Sequence, residues 1–147
     1  MANEAAWTYA TQVTLEASGA SAASNVIVAA NDAALSSSNH SNYPVADAVL
    51  TCDFGAAIAA GTAIYLYRQD LNIDGTADAP APASTYEHQL VGIFPLPSGA
   101  SASATYPANG DIPLSKECQF SIKNGTAQNL SAGWVLKITP KTYAPGA

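Results

Sequence analysis

No apolar run in this chain travels far before a glycine, proline, asparagine or serine cuts it. Runs at 12–16, 25–29, 45–54, 62–69, 86–96, 112–114, 119–123 and 134–139 are each bounded in this way. Stretches this short cannot form a helix long enough to bury a stripe, and the Gly and Pro placement breaks most helices beyond two turns. Spacing near ~8–12 residues, with alternation inside the runs, is the pattern of an all-β sandwich or barrel. In the run at 62–69, Ile64 and Leu66 alternate with Tyr65 and Tyr67, so both faces are bulky and the strand is expected at the centre of a sheet or at an interface. Phe120 and Ile122, and then Trp134, Leu136 and Ile138, alternate in the same way, which makes Trp134 a core residue. Val26-Ile27-Val28 is a continuous β-branched run and predicts a strand covered on both sides.

Other stretches read as connections. Positions 32–44 are polar, with Ser36-Ser37-Ser38-Asn39-His40-Ser41-Asn42 at their centre. Positions 56–60 are helix-like in composition but too short, and Gly55 and Gly61 bracket them. Positions 70–85 form a long loop containing Ala79-Pro80-Ala81-Pro82, and 98–109 are small and polar. About eight strands result, in one domain: a single β-sandwich, jelly-roll or β-tulip-like, over residues 12–147. Residues 1–11 carry no hydrophobic period and read as an extended N-terminal arm. Trp7 and Tyr9, two apart, point the same way on an extended chain, and they are the expected interface residues, docking on this domain or on a neighbouring subunit.

Charge narrows the partners. Among 147 residues, 11 are acidic and 5 basic, a net charge of −6, and Arg68 is the sole arginine. Phosphate recognition needs a basic patch, so nucleic acid is not an expected partner. At 48% apolar content the chain is built to fold. No stretch approaches the ~20 apolar residues of a spanning helix. The start, Met1-Ala2-Asn3-Glu4, has neither the basic nor the apolar region of a cleavable signal, so synthesis in a cytoplasm and reduced, buried Cys52 and Cys118 are expected.

Catalytic chemistry finds little support. His40 lies in the Ser/Asn loop and His88 at a strand start, and no serine sits in a G-x-S-x-G elbow. Neither cysteine has a Cys or His within four positions, which is not a zinc pattern. No glycine-rich phosphate loop is present, and no cofactor is expected. Asp70-Leu71-Asn72-Ile73-Asp74-Gly75-Thr76-Ala77-Asp78 matches the first half of a calcium loop, with alternate oxygens and a glycine at the sixth position. Ala81 stands where the bidentate Glu belongs, and a plain Asx-type turn at Asp74-Gly75 is the alternative expectation. Tyr65 and Tyr67 are the residues that a sugar-binding module would use for stacking.

Several stretches resemble small structural proteins of tailed bacteriophages, head decoration (cement) proteins above all. They are Asp70 to Pro82, Tyr86-Glu87-His88 running to Val91-Gly92-Ile93-Phe94-Pro95-Leu96, Asp111-Ile112-Pro113-Leu114, Phe120-Ser121-Ile122-Lys123-Asn124, and Ala132-Gly133-Trp134-Val135-Leu136-Lys137-Ile138-Thr139-Pro140-Lys141-Thr142-Tyr143. The likeness covers mostly the second half of the chain. It implies a β-sandwich or β-tulip subunit on the virion's capsid surface, bridging major capsid proteins as a homodimer or homotrimer. A terminal arm that orders on binding is part of the same expectation. It brings no catalytic residues, and the chain is not expected to be an enzyme. Tail- or fibre-associated sandwiches and a carbohydrate- or calcium-binding module are the alternatives.

Overall fold

The computed structural model describes residues 6–36, 40, 42–87 and 89–144. These carry ten strands: β1 (Ala6–Tyr9), β2 (Val13–Gly19), β3 (Ile27–Ala29), β4 (Val45–Cys52), β5 (Ala63–Asp70), β6 (Leu90–Pro95), β7 (Ala104–Pro107), β8 (Ile112–Pro113), β9 (Cys118–Asn124) and β10 (Trp134–Ala144). Four antiparallel pairs are nested in sequence: β5 with β6, β4 with β7, β3 with β9, and β2 with β10. Lateral pairing of β4 with β10 and of β5 with β9 rolls this long hairpin into two sheets. One sheet runs β2-β10-β4-β7 and the other β3-β9-β5-β6. That is a β-sandwich with the strand order of a jelly roll. β1 continues the path of β2 along β10, and β8 continues that of β7 along β4.

The alternation read from the sequence sets which side chains meet between the sheets. Along β4, Ala46, Ala48, Leu50 and Cys52 are buried while Val45, Asp47, Val49 and Thr51 face outward and are half-buried. Leu136 and Ile138 of β10 join them from one sheet; Ile64, Leu66, Phe94, Phe120 and Ile122 come from the other, all fully buried in one cluster. Arg68 ties the sheets by a different means. It donates to the Pro113 carbonyl at 2.8 Å and pairs with Asp70 at 2.8 Å. A buried amide, Asn124, has both ends satisfied: it donates to the carbonyls of Ala22 and Gln128 and accepts from Thr126. β5 lies between β9 and β6, the central position expected from its two bulky faces.

Several expectations are corrected. The β-branched run at 26–28 is not covered on both sides: β3 is an edge strand with β9 as its one neighbour, Ile27 and Val28 are half-buried, and Val26 is exposed. The small, polar stretch at 98–109 contains β7, which pairs with β4 and buries only Tyr106. With one anchoring side chain it shows no period. The strand near 86–96 begins at Leu90, and ten strands stand where about eight were expected. The last strand, expected at 134–139, extends to Ala144 because β1 pairs along its second half.

One close approach fixes the end of the β2–β10 pair. Trp134 is 1% exposed, and its indole donates to the Ala20 carbonyl at 2.8 Å. A Cβ on Gly19, which is paired with Trp134, would lie 1.9 Å from ring atom Cε2. Gly19→Ala is therefore expected to cost at least about 1–3 kcal/mol by overpacking. Gly55→Ala, whose new methyl meets nothing nearer than 4.0 Å, is expected to stay within about 0.5 kcal/mol of wild type. Urea denaturation checks both, and equal midpoints for the two variants would contradict this packing.

Candidate interface

The outward face of the β1-β10-β4 sheet exposes three aromatic rings, Trp7, Tyr9 and Tyr143. Of residues 1–11, expected as an arm, 1–5 lie outside the described residues, and Ala6–Tyr9 form β1, paired antiparallel with β10: Trp7 is opposite Tyr143 and Tyr9 opposite Lys141. The backbone supplies the reason. Ala10 N–H donates to the Pro140 carbonyl at 2.8 Å, and Pro140, with no N–H to return, lies beside the 10–12 kink that separates β1 from β2. All four residues of β1 are nevertheless exposed, so the strand projects past the packed layers.

Side chains then fasten β1 through one lysine. Lys141 is 6% exposed, and its Nζ lies 2.6 Å from both Asp47 Oδ1 and Asp111 Oδ1. It also sits 4.4 Å from the centroid of the Trp7 ring. Cation–π contacts of this kind are worth about 0.5–2 kcal/mol, more as the cation loses water. Burial pulls the Lys141 pKa down, but the hydrogen bonds the lysine donates to Asp111 and Asp47 outweigh that and hold the ammonium above its ordinary value. Trp7 meets Tyr143 edge-on, with centroids 5.7 Å apart and planes at 72°. Trp7, Tyr9 and Tyr143 remain 44%, 53% and 57% exposed. Trp7 thus lies beside a third ring, Tyr143, that the sequence reading did not single out, and Tyr9 stands opposite Lys141. The lysine clasp was also missed, because Lys141 and Asp47 are separated by 94 positions.

The other candidates lie elsewhere and are occupied by the protein itself. His40 is buried, with Nδ1 2.6 Å from the Ser36 carbonyl oxygen and Nε2 2.6 Å from that of Ser115, so both nitrogens face backbone. A groove of about 460 Å³ passes it, lined also by Tyr43, Leu114 and Lys116. His88 lies outside the described residues. Cys52 and Cys118 are buried free thiols; burial pushes the Cys52 thiol up to about 12 and the Cys118 thiol upward as well.

In the calcium-like stretch, Asp74 Oδ1 accepts from the N–H groups of Ala77 (2.6 Å) and Thr76 (3.0 Å), which hold its carboxyl below the ordinary value. Gly75 takes φ 97°. Asp70 turns to Arg68, and Asp78 accepts from the Asn72 N–H. The loop is an Asx turn, and among the described residues no group of three His, Cys, Asp or Glu could hold a metal. Tyr67 is 3% exposed and donates to Glu87, which also pairs with Lys123 at 2.6 Å; burial first and then Glu87 push the phenol up to about 12. Tyr65 packs over Gly125. These two rings do not form an open stacking platform.

Lys141→Met leaves Asp47 and Asp111 without their shared cation. Both carboxylates are nearly half exposed and can rehydrate, so the expected cost is about 1–2 kcal/mol near neutral pH. The sign follows from the raised pKa: the lysine's contribution is complete below its ordinary 10.5 and fades as pH climbs through the higher folded value. The wild-type advantage should therefore shrink above that pH. Denaturation at several alkaline pH values measures it, and a constant gap would contradict the clasp.

No family model, curated protein or solved structure matches the chain.

Proposed function

We propose that the chain is a virion structural protein of a tailed bacteriophage: a decoration, or cement, subunit that binds the outer surface of the head and bridges neighbouring major capsid proteins. The observation that carries this reading is the uncharged aromatic surface of Trp7, Tyr9 and Tyr143 on a strand projecting from a closed sandwich. Aromatic side chains of this kind anchor protein–protein contacts. Three of the five basic side chains, Arg68, Lys123 and Lys141, are paired with carboxylates, which leaves little to attract nucleic acid. The two nitrogens of His40 are turned to carbonyl oxygens, which supports a structural rather than a catalytic role.

The mechanism is linkage. A protein that binds only the assembled shell stabilises it, and a modest contact repeated over every copy sums to a large effect on the whole. DNA packed inside pushes capsomers apart, and a subunit across their seams resists. Sparse Lys and Glu suits such a role, because long charged side chains lose rotamer entropy when an interface immobilises them. In this reading the subunit acts as a homodimer or homotrimer and needs no cofactor.

The test is addition of the purified protein to expanded heads that lack it. It should bind in many copies spread over the shell, and the heads should rupture at a higher temperature. Trp7→Ala should weaken this binding, by about tenfold or more for an aromatic anchor. Equal rupture temperatures with and without the protein, or label on the tail alone, would overturn the proposal.

A further inference from the structure

We infer that the free edge of β1 is completed by β1 of a second copy, in one specific antiparallel register with Thr8 on the two-fold axis. The argument starts from the backbone. In an antiparallel ladder alternate residues direct both N–H and C=O to the same neighbour. Ala10 bonds to Pro140, so Thr8 and Ala6 face β10, and Trp7 and Tyr9 turn their N–H and C=O groups outward. Among the described residues no other strand pairs with β1.

The other edges are short, end in proline or are bonded in part to other segments. On β2, the next stretch of the same edge, the Leu15 carbonyl accepts from Asp32 and Ala33, Asp32 accepts from Ala17 N–H at 2.6 Å, and Glu16 accepts from Asn31 at 2.9 Å. The Ile93 carbonyl on β6 accepts from Asn109 at 2.7 Å. β3 has three residues, and both β7 and β8 end in proline. Edges are normally blunted by charge, proline, bulges or a covering segment. Ala6-Trp7-Thr8-Tyr9 has none of these.

Charge permits a second copy as the occupant. A chain of net charge −6 repels its own copy, and a two-fold contact sets each group against its like. Such a contact is tolerated where charge is absent, and β1 is uncharged, with the adjacent Lys141 already compensated by Asp47 and Asp111. The outward groups are also self-complementary. Trp7 opposes Tyr9 of the other copy, and Tyr9 opposes Trp7, which makes two hydrogen-bonded pairs and two cross-strand aromatic pairs on the face that already holds Tyr143. The β1-β10-β4 sheet then runs continuously through both subunits.

This deepens the proposed role as an assembly subunit and rests on it, yet the two can fail separately. Thr8 and its symmetry mate form a non-hydrogen-bonded pair with Cα atoms ~4.5 Å apart, within disulfide reach. Under mild oxidation Thr8→Cys should yield a covalent dimer in non-reducing gels. Ala6→Cys, whose mate lies four residues away along the strands, should not, and Cys52 and Cys118 are buried. Tyr9→Pro removes an outward N–H without touching the bonds to β10. Its mass by sedimentation should fall from twice 15.0 kDa to 15.0 kDa with cooperative unfolding retained. A wild-type monomer or trimer, equal cross-linking of the two cysteine variants, or a dimer indifferent to Tyr9→Pro overturns the register. A monomer that still coats heads would reject this inference and keep the decoration role; a dimer that ignores heads would do the reverse.

Discussion

Both ends of the chain meet on β10. Its first half is paired with β2 and its second half with β1, while β4 runs along its other side from Val135 to Lys141. Every outer pair of the roll closes a long loop, and the entropy of closing loops rises only slowly with their length. The register is therefore decided by side chains. Slipping β10 by one residue would turn Leu136 and Ile138 to solvent and drive Lys137 and Lys141 into the core, which no local adjustment offsets. Trp134 against Gly19 locks one end of this pairing, and Lys141 with Asp47 and Asp111 locks the other. A fold held this way gains its contacts late, since almost every stabilising pair is distant in sequence.

The same logic explains what could be read from the residues alone. β4, β5, β9 and β10 each have neighbours on both sides and a core beneath, so selection for burial acts on every second residue and the alternation is visible. Edge strands have weaker requirements. β7 needs only Tyr106 inside, and β3 displays a β-branched run at a rim where nothing covers Val26. β1 buries nothing, so no period could reveal it; what shows in the sequence is the two-residue spacing of Trp7 and Tyr9. The Asp70–Asp78 stretch could be read either way, because the residues that let a loop wrap a cation also let it wrap its own N–H groups, and Asp74 does the latter. The lysine clasp was invisible for a third reason: its partners come from β4 and the turn before β8, and only the topology brings them together.

The few charges in this chain work as fasteners. Lys141 joins β10 to β4, to the turn at Asp111 and, through Trp7, to β1. Lys123 with Glu87 holds the long 71–89 connection over Tyr67. Arg68 reaches from β5 to β8, between the sheets. Each pairing restrains two elements that the core alone holds less tightly. Because three of the five cations are drawn into these joints, the outward faces are left largely to small, polar and aromatic side chains with little rotamer freedom to lose. In the role proposed above, a subunit covered by neighbours has more use for such a surface than for a solvated one. The excess of 11 acidic over 5 basic residues gives the net charge of −6, which favours solubility. In the proposed contact those carboxylates must keep away from the edge, and β1, which carries no charge, meets that condition.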